Sequence, residues 1–220
     1  MKILNLLTLV SLFIFVSCRK NVSEKAETNI SMKSLDHDRE MTDFAKVLAK
    51  SLTDINVRSL IKQEAEKMFD KDYDVLYGLA KDLPDVTGKT LNEQIVKFSN
   101  NPSQFNSIVN QLPLLTIYVP VLDNFDAKKW NIDGQIPIVA VRNTEDRKNG
   151  KPLLAYDADG NEIKLDYKVK PDRPIIVIKD NERVIKKSTE VKNNLNARGN
   201  EVTPVKIKDD YYFADESYNG

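Results

Sequence analysis

The spacing of the apolar residues changes near Leu114, and this change limits the folds that are open to the chain. Between about residues 40 and 112 the spacing is helical, with Met41, Phe44 and Leu48 on one face. From Leu114 onward apolar residues alternate with polar ones, which is typical of half-buried strands. Helices followed by strands predict an α+β fold: an N-terminal bundle of short helices, then an antiparallel β-sheet or a small sandwich.

Capping residues divide the region 40–112 into four or five short helices. Thr90 and Glu93 have the spacing of a capping box, in which each side chain accepts a backbone N–H of the other residue. Asn101 is followed by Pro102, and proline is favoured at the first helical position. Because their apolar stripes are one-sided, such short helices must pack on one another or on another element.

A third helix is expected from Asp72 to Lys81. Around its start, Asp70, Asp72 and Asp74 have the alternating spacing that begins an EF-hand calcium loop. The glycine of the sixth position and the acid of the twelfth position are missing. The pattern therefore favours a turn between two helices, with Asp72 capping the second of them.

Three hairpins are expected in the region 113–220. The first turn contains Gly160, which suits a tight connection between two strands. Asp180 and Asn181 mark the second turn, because both residue types favour turns. The expected hairpins pair 153–156 with 163–165, 175–178 with 184–185, and 205–207 with 211–213.

The first hairpin turn is also a candidate calcium site. Asp157, Asp159, Asn161 and Glu162 lie at its tip, and oxygen ligands of this kind can hold calcium. Asp, Asn and Gly are equally the residues that a tight turn requires. The turn is the favoured interpretation, and calcium is the one cofactor that stays open.

Trp130 is the only tryptophan, and it lies in the loop before the second strand, near Phe125. An exposed ring here could stack on a sugar or anchor a partner, which makes Trp130 a candidate ligand-binding residue. A ring buried beneath the loop is the favoured interpretation.

Histidine and cysteine, on which many catalytic and metal-binding motifs depend, each occur once in the chain. His37 is the only histidine and Cys18 the only cysteine, so histidine-based triads, zincin helices and the usual zinc sets are disfavoured. His37 falls in a polar stretch and is interpreted as a solvated linker residue. A carboxylate pair for acid-based hydrolysis stays open, because such pairs come from distant parts of a chain and 33 acids are available.

The start of the chain has the features of an export signal. Lys2 provides a short positive region, and residues 3–16 are mostly apolar. As a helix these residues would span about 21 Å at 1.5 Å per residue. A hydrocarbon core is about 30 Å thick, so the segment is short for a transmembrane helix and suits a signal peptide.

Phe15, Val16, Ser17 and Cys18 end this segment, and a small residue directly before the cysteine resembles the lipobox of bacterial lipoproteins. Phe15 stands where that family usually has leucine. In the family the cysteine thiol is joined to a diacylglyceryl group, the signal is removed, and the new amino group is usually acylated. The resemblance covers residues 1–18 and implies a membrane anchor of several acyl chains on Cys18.

An ordinary secretory signal is the alternative, with Cys18 lying there by chance. It would leave a secreted protein with one unpaired thiol, which the lipobox interpretation avoids. In the lipoprotein family an aspartate directly after the cysteine often favours inner-membrane retention. The chain has Arg19 there, so the outer membrane is favoured.

Four regions follow from these patterns: a signal peptide at 1–17, a lipidated cysteine with a flexible tether at 18–39, a helical region at 40–112 and a β-rich region at 113–220. The tether is assigned because residues 19–39 are polar and lack periodicity. Basic and acidic residues are equal at 33 each and interspersed, so no nucleic-acid partner is expected.

Together, the anchor, the tether and the lack of catalytic motifs favour a non-catalytic binding or structural module of the cell envelope. The ligand is an external molecule or another envelope protein, which the helical region would dock or inhibit. An acid-based secreted hydrolase, or the leading part of one, is the alternative.

Overall fold

The computed structural model describes residues 23–142, 150–166, 168–187 and 206–214, with side chains from residue 34 onward. The chain divides into two compact units, Met1–Leu35 and Asp36–Gly220. The described residues of the first unit are helical. The second unit contains helices and all the described strands.

Local capping explains where several helices begin. The Asp54 carboxylate accepts a backbone N–H at the start of the second helix. The capping box of Thr90 and Glu93 is confirmed, and the Asn101 side chain caps the helix that opens with Pro102, as its sequence predicts. The described residues form five helices: α1 Ser23–Ser51, α2 Ile55–Glu66, α3 Tyr77–Ala80, α4 Leu91–Val96 and α5 Pro102–Gln111.

The described strands form two sheets. A six-stranded sheet has the order β1-β2-β6-β3-β4-β5, and a three-stranded sheet has the order β7-β9-β8. The strands are β1 Asp74–Leu76, β2 Leu115–Tyr118, β3 Ile138–Val141, β4 Leu153–Tyr156, β5 Glu162–Leu165, β6 Ile175–Asp180, β7 Val184–Lys186, β8 Lys206–Lys208 and β9 Tyr211–Phe213.

The larger sheet is mixed, so the α+β class holds but the expected purely antiparallel sheet is wrong. β3 and β6 pair in parallel, with Ile138 opposite Ile175. β4 runs antiparallel to β3 and β5 antiparallel to β4, so β5 has the direction of β3. β6 has this direction too, which shows that β5 and β6 are not joined as a hairpin.

Two of the three expected hairpins are confirmed and one is wrong. β4 pairs with β5, and β8 pairs with β9. β6 and β7, by contrast, belong to different sheets: β6 lies between β2 and β3, whereas β7 pairs with β9. The turn at Asn181 therefore carries the chain from one sheet to the other.

β1 corrects the prediction of a helix from Asp72 to Lys81. The segment begins with the edge strand Asp74–Leu76, and only Tyr77–Ala80 is helical. All three residues of β1 are buried. A short, fully buried run has no periodicity that separates a strand from a helical turn.

The start of α1 also differs from expectation. The helix begins at Ser23, within the stretch interpreted as a flexible tether. Its buried apolar face begins only at Met41. An apolar stripe marks the buried part of this helix, and its polar continuation has no such stripe in the sequence.

The main apolar core is common to the helices and the larger sheet. Phe44 of α1 stacks on Phe105 of α5 at 5.5 Å and meets the ring of Tyr77 edge-on at 4.9 Å. Ile117 of β2 and Ile176 of β6 complete the same cluster from the sheet. Helical and strand regions thus stabilise each other through shared burial.

A smaller cluster joins the two sheets. Leu76 of β1 packs with Val184 of β7 and Tyr211 of β9. Gly78 permits this packing, because a Cβ atom at that position would lie 2.0 Å from the Tyr211 hydroxyl oxygen. The three-stranded sheet is therefore held beside the edge strand β1.

Candidate functional site

His37 is held by a partner from the sheet. Its Nε2 atom lies 2.8 Å from Oδ2 of Asp180, the last residue of β6. This hydrogen bond raises the pKa of His37 above its ordinary value, against the opposing effect of burial. The interpretation of His37 as a solvated linker residue is therefore wrong: it joins α1 to the sheet.

The side chains at the first hairpin tip serve the turn itself. Asp157 Oδ1 accepts the backbone N–H groups of Asp159 and Asn161, and its Oδ2 accepts the Asn161 amide. Hydrogen bonds lower the pKa of Asp157 below its ordinary value, and the largest contribution comes from the Asn161 side chain. Glu162 lies on β5, opposite Tyr156 in the register. In the part of the chain that the structure describes, no group of three or more His, Cys, Asp or Glu side chains is placed to hold a metal ion.

Trp130 is buried, with 1% of its surface exposed. Its Nε1–H donates to the Gln135 carbonyl at 3.1 Å, and its ring lies 5.8 Å from that of Phe125. A ring enclosed in this way has no face for a ligand. The ring is buried, as the favoured interpretation expects, and the ligand-binding role stays a prediction without support from this structure.

Cys18 and the rest of the proposed signal lie outside the described residues. Within residues 23–142, 150–166, 168–187 and 206–214, no helix is long and apolar enough to cross a membrane.

A cleft opens between α1 and the segment that leads from α4 into α5. It encloses about 240 Å³, with Val47 and Phe105 among its apolar lining residues. We call it the α1–α5 cleft. Its polar side chains come from both walls: Asp43, Lys46 and Lys50 on α1, and Ser99, Asn100 and Gln104 opposite.

The cleft carries more positive than negative side chains. Lys46 lies 3.9 Å from Asp43, a long contact, and 5.3 Å from the centre of the Tyr156 ring. Lys50 has no carboxylate within 4.0 Å among the described residues. The stem of Lys50 lies so close to Gly160 that a Cβ atom there would be 2.5 Å from its Cε. This packing holds Lys50 between the hairpin tip and the cleft.

The sequence contains only a partial signal for this cleft. Lys46 and Lys50 are one helical turn apart, so they share a face of α1. Nothing in the spacing shows that α5 lies opposite that face. The sequence around Asn101 predicts a helix start, which is confirmed, and contains no sign of a cleft wall.

A second polar group is enclosed at the β1 edge of the larger sheet. Lys179 Nζ lies 2.9 Å from Asp74 Oδ2, and it sits 4.7 Å from the centre of the Tyr118 ring. Burial raises the pKa of Asp74 to about 7; Lys179 opposes this shift and the neighbouring Asp70 carboxyl adds to it. With 1% of its surface exposed, Asp74 is closed to any substrate.

The remaining members of this buried cluster tie the segment before β1 to the turn after β6. Asn181 Nδ2 donates to Asp70 Oδ2 at 3.1 Å. Arg183 donates to the Asp70 carbonyl at 2.9 Å and lies 3.2 Å from the Asp72 carboxylate. The prediction that Asp72 caps a helix is therefore wrong, since its partner is an arginine from a distant part of the chain.

No family model, no curated protein and no solved structure gave a significant match.

Proposed function

We propose that the protein is a lipid-anchored protein of a bacterial cell envelope, whose folded part binds a small negatively charged ligand in the α1–α5 cleft. The observation that carries the binding proposal is the pair Lys46 and Lys50 on one wall of the cleft. The function is non-catalytic, as the lack of catalytic motifs in the sequence favours.

The charge of the ligand follows from the lysines. Lys50 has no carboxylate partner among the described residues, and the contact of Lys46 with Asp43 is long at 3.9 Å. A carboxylate or phosphate oxygen between the two ammonium groups would form charge-assisted hydrogen bonds. Asn100 and Gln104 add amide groups on the opposite wall.

The size of the ligand follows from the volume. Pockets for drug-sized molecules enclose about 300–1,000 Å³. The α1–α5 cleft, at about 240 Å³, suits one sugar-acid or amino-acid unit. Phe98 and Phe105 offer apolar surface for the carbon skeleton of such a unit.

The anchor rests on the resemblance of residues 1–18 to a signal peptide with a lipobox. Acyl chains on Cys18 would hold the chain at a membrane, and Arg19 favours the outer one. The alternative within this proposal is that the helical region docks or inhibits another envelope protein. An acid-based hydrolase has less support, because Asp74, whose pKa is raised towards neutrality, is buried.

Isothermal titration calorimetry on the full chain in detergent tests the binding proposal. The probes are glucuronate, glutamate and inorganic phosphate, with glucose and glutamine as uncharged counterparts. We expect at least one charged probe to bind more tightly than its counterpart, and Lys50→Gln to weaken that binding by about tenfold or more, since charged hydrogen bonds contribute about 1.5–3 kcal/mol.

Lys164→Gln is the matched control, because Lys164 is an exposed lysine of β5 outside the cleft and the charge change is the same. It should leave binding unchanged. If none of the probes bound, or if both variants bound like the unaltered protein, the cleft would not be the ligand site.

A further inference from the structure

The buried cluster beside β1 holds more acid than base. Asp70 and Asp74 are 0% and 1% exposed, and Lys179, at 9%, is the cation enclosed with them. Asp72 and Arg183 pair with each other closer to the surface, with about a third of each side chain exposed. With both buried carboxyls ionised, the enclosed trio would carry one uncompensated negative charge.

The hydrogen bonds around the two buried carboxyl groups leave one oxygen atom without a donor. Asp70 Oδ1 accepts the backbone N–H of Asp72 at 3.3 Å, and its Oδ2 accepts the Asn181 amide at 3.1 Å. Asp74 Oδ2 faces Lys179 at 2.9 Å. Asp74 Oδ1 has no hydrogen-bond partner among the described residues. A buried carboxylate oxygen without a donor is unfavourable, whereas a protonated oxygen is itself a donor.

We propose that Asp74 carries a proton, which it donates in a hydrogen bond to the Asp70 carboxylate, and that this proton closes a pH-sensitive clamp between the segment 70–74 and the segment 179–183. The proton comes from solvent and returns to it, and no covalent bond changes. With the proton in place, the Asp74 hydroxyl donates to the Asp70 carboxylate, and the enclosed charge of the trio falls to zero.

The electrostatic surroundings support this assignment. Burial is the largest cause of the rise in the pKa of Asp74 to about 7, and Asp70 contributes to the rise both by its charge and by a hydrogen bond. Lys179 on β6 opposes it. On β2, burial and the nearby carboxylates of Asp72 and Asp74 raise the pKa of Tyr118.

The remaining neighbours leave the cluster short of positive charge. Arg183, in the turn after β6, is engaged by Asp72 and by the Asp70 carbonyl. The three-stranded sheet meets β1 through the apolar contacts of Leu76 with Val184 and Tyr211. Neither group supplies Asp74 Oδ1 with a donor.

The clamp acts on a weak point of the fold. β1 has three residues, lies at the edge of its sheet and pairs, among the described strands, with β2 alone. Asp74 is its first residue, and Leu76 contacts the three-stranded sheet. Loss of the proton leaves two like charges in a site of low polarity, so β1 and the sheet packed on it should open more readily as the pH rises.

The direction and size of the effect follow from proton linkage. The pKa of Asp74 is raised in the folded protein from its ordinary 3.8 to about 7, so the folded state binds the proton more tightly than the unfolded state. Stability is therefore lost as the pH rises between these two values. For one such group the unfolding constant should increase about 30-fold between pH 5.5 and 8.5.

Urea unfolding of the full chain in detergent at pH 5.5 and 8.5 tests the proposal. Asp74→Asn places a neutral amide where the protonated carboxyl would be, so it should remove most of the pH dependence and raise stability at pH 8.5. Asp72→Asn is the matched control, because it makes the same charge change at the rim of the cluster. It should keep the dependence. His37→Gln, which removes a second group that titrates in this range, separates the contribution of the His37–Asp180 contact.

A second measurement keeps the test decisive even if Asp74→Asn does not fold. In the unaltered protein with ¹³C-labelled aspartate, one carboxyl resonance should titrate near pH 7. The proposal is overturned if no aspartate titrates above pH 6, or if Asp72→Asn removes as much of the pH dependence as Asp74→Asn does.

Discussion

Gly78→Ala tests how the three-stranded sheet is held beside β1. The added Cβ atom would lie 2.0 Å from the Tyr211 hydroxyl oxygen and 2.9 Å from its Cζ atom, while the Pro113 carbonyl at 3.6 Å leaves ordinary room. Tyr211 is 5% exposed and packs with Leu76 and Val184, so its ring has little space to retreat. We therefore expect the sheet to shift or detach locally.

The magnitude is a balance of two effects. Overpacking of a filled core costs about 1–3 kcal/mol. Alanine in a helix is more favourable than glycine by about 1 kcal/mol, and Gly78 belongs to α3. The net loss of stability should be up to about 2 kcal/mol, measured as a lower urea midpoint with an unchanged slope.

A double-mutant cycle identifies the clash as the cause. Tyr211→Phe removes the oxygen atom at 2.0 Å and leaves the Cζ contact at 2.9 Å, so Gly78→Ala should cost clearly less in that background. Tyr212→Phe removes a hydroxyl from the neighbouring residue of β9 and should give no such rescue. Additive effects of Gly78→Ala and Tyr211→Phe would refute the reasoning.

Three further predictions concern single contacts. His37→Gln should lower stability below about pH 6.5 and have less effect as the pH rises through the raised pKa of His37, as urea unfolding across pH would show. Thr90→Ala should lower the free energy of unfolding by about 1 kcal/mol through loss of a helix cap, whereas Thr90→Ser should retain most of it. Trp130→Ala should cost about 3–5 kcal/mol and leave probe binding to the folded protein unchanged, because the ring is buried outside the cleft.

Local signals in the sequence predicted local structure well. The capping box of Thr90 and Glu93 depends on residues three apart, and Asn101 with Pro102 depends on neighbours, so both were found. The β4–β5 hairpin was found for the same reason, because Gly160 closes a short turn between adjacent strands. Signals of this kind do not depend on what the rest of the chain does.

Contacts between distant residues explain what the sequence did not predict. His37 and Asp180 are 143 residues apart, and Asp70 and Asn181 are 111 apart. β3 and β6, which pair in parallel, are likewise separated in the chain by the β4–β5 hairpin. Residue spacing does not show which distant residues pair. Polar residues that pair in the fold therefore have the same sequence pattern as linker and turn residues.

The α1–α5 cleft could be predicted from the sequence only in part. Lys46 and Lys50 share a helix face that the sequence defines, but the opposite wall depends on how α5 packs against α1. Phe44 and Phe105, stacked at 5.5 Å, fix that packing. Their apolar spacing was visible in the sequence, whereas their pairing was not.

Mass spectrometry of the mature protein, purified from bacterial membranes, tests the proposed anchor most directly. The account predicts an N-terminal peptide that begins at Cys18 and carries a diacylglyceryl group and an amide-linked acyl chain. Cys18→Ser should abolish both the acylation and the membrane fraction. A mature protein that retains Met1, or one that carries an unmodified Cys18, would contradict the account.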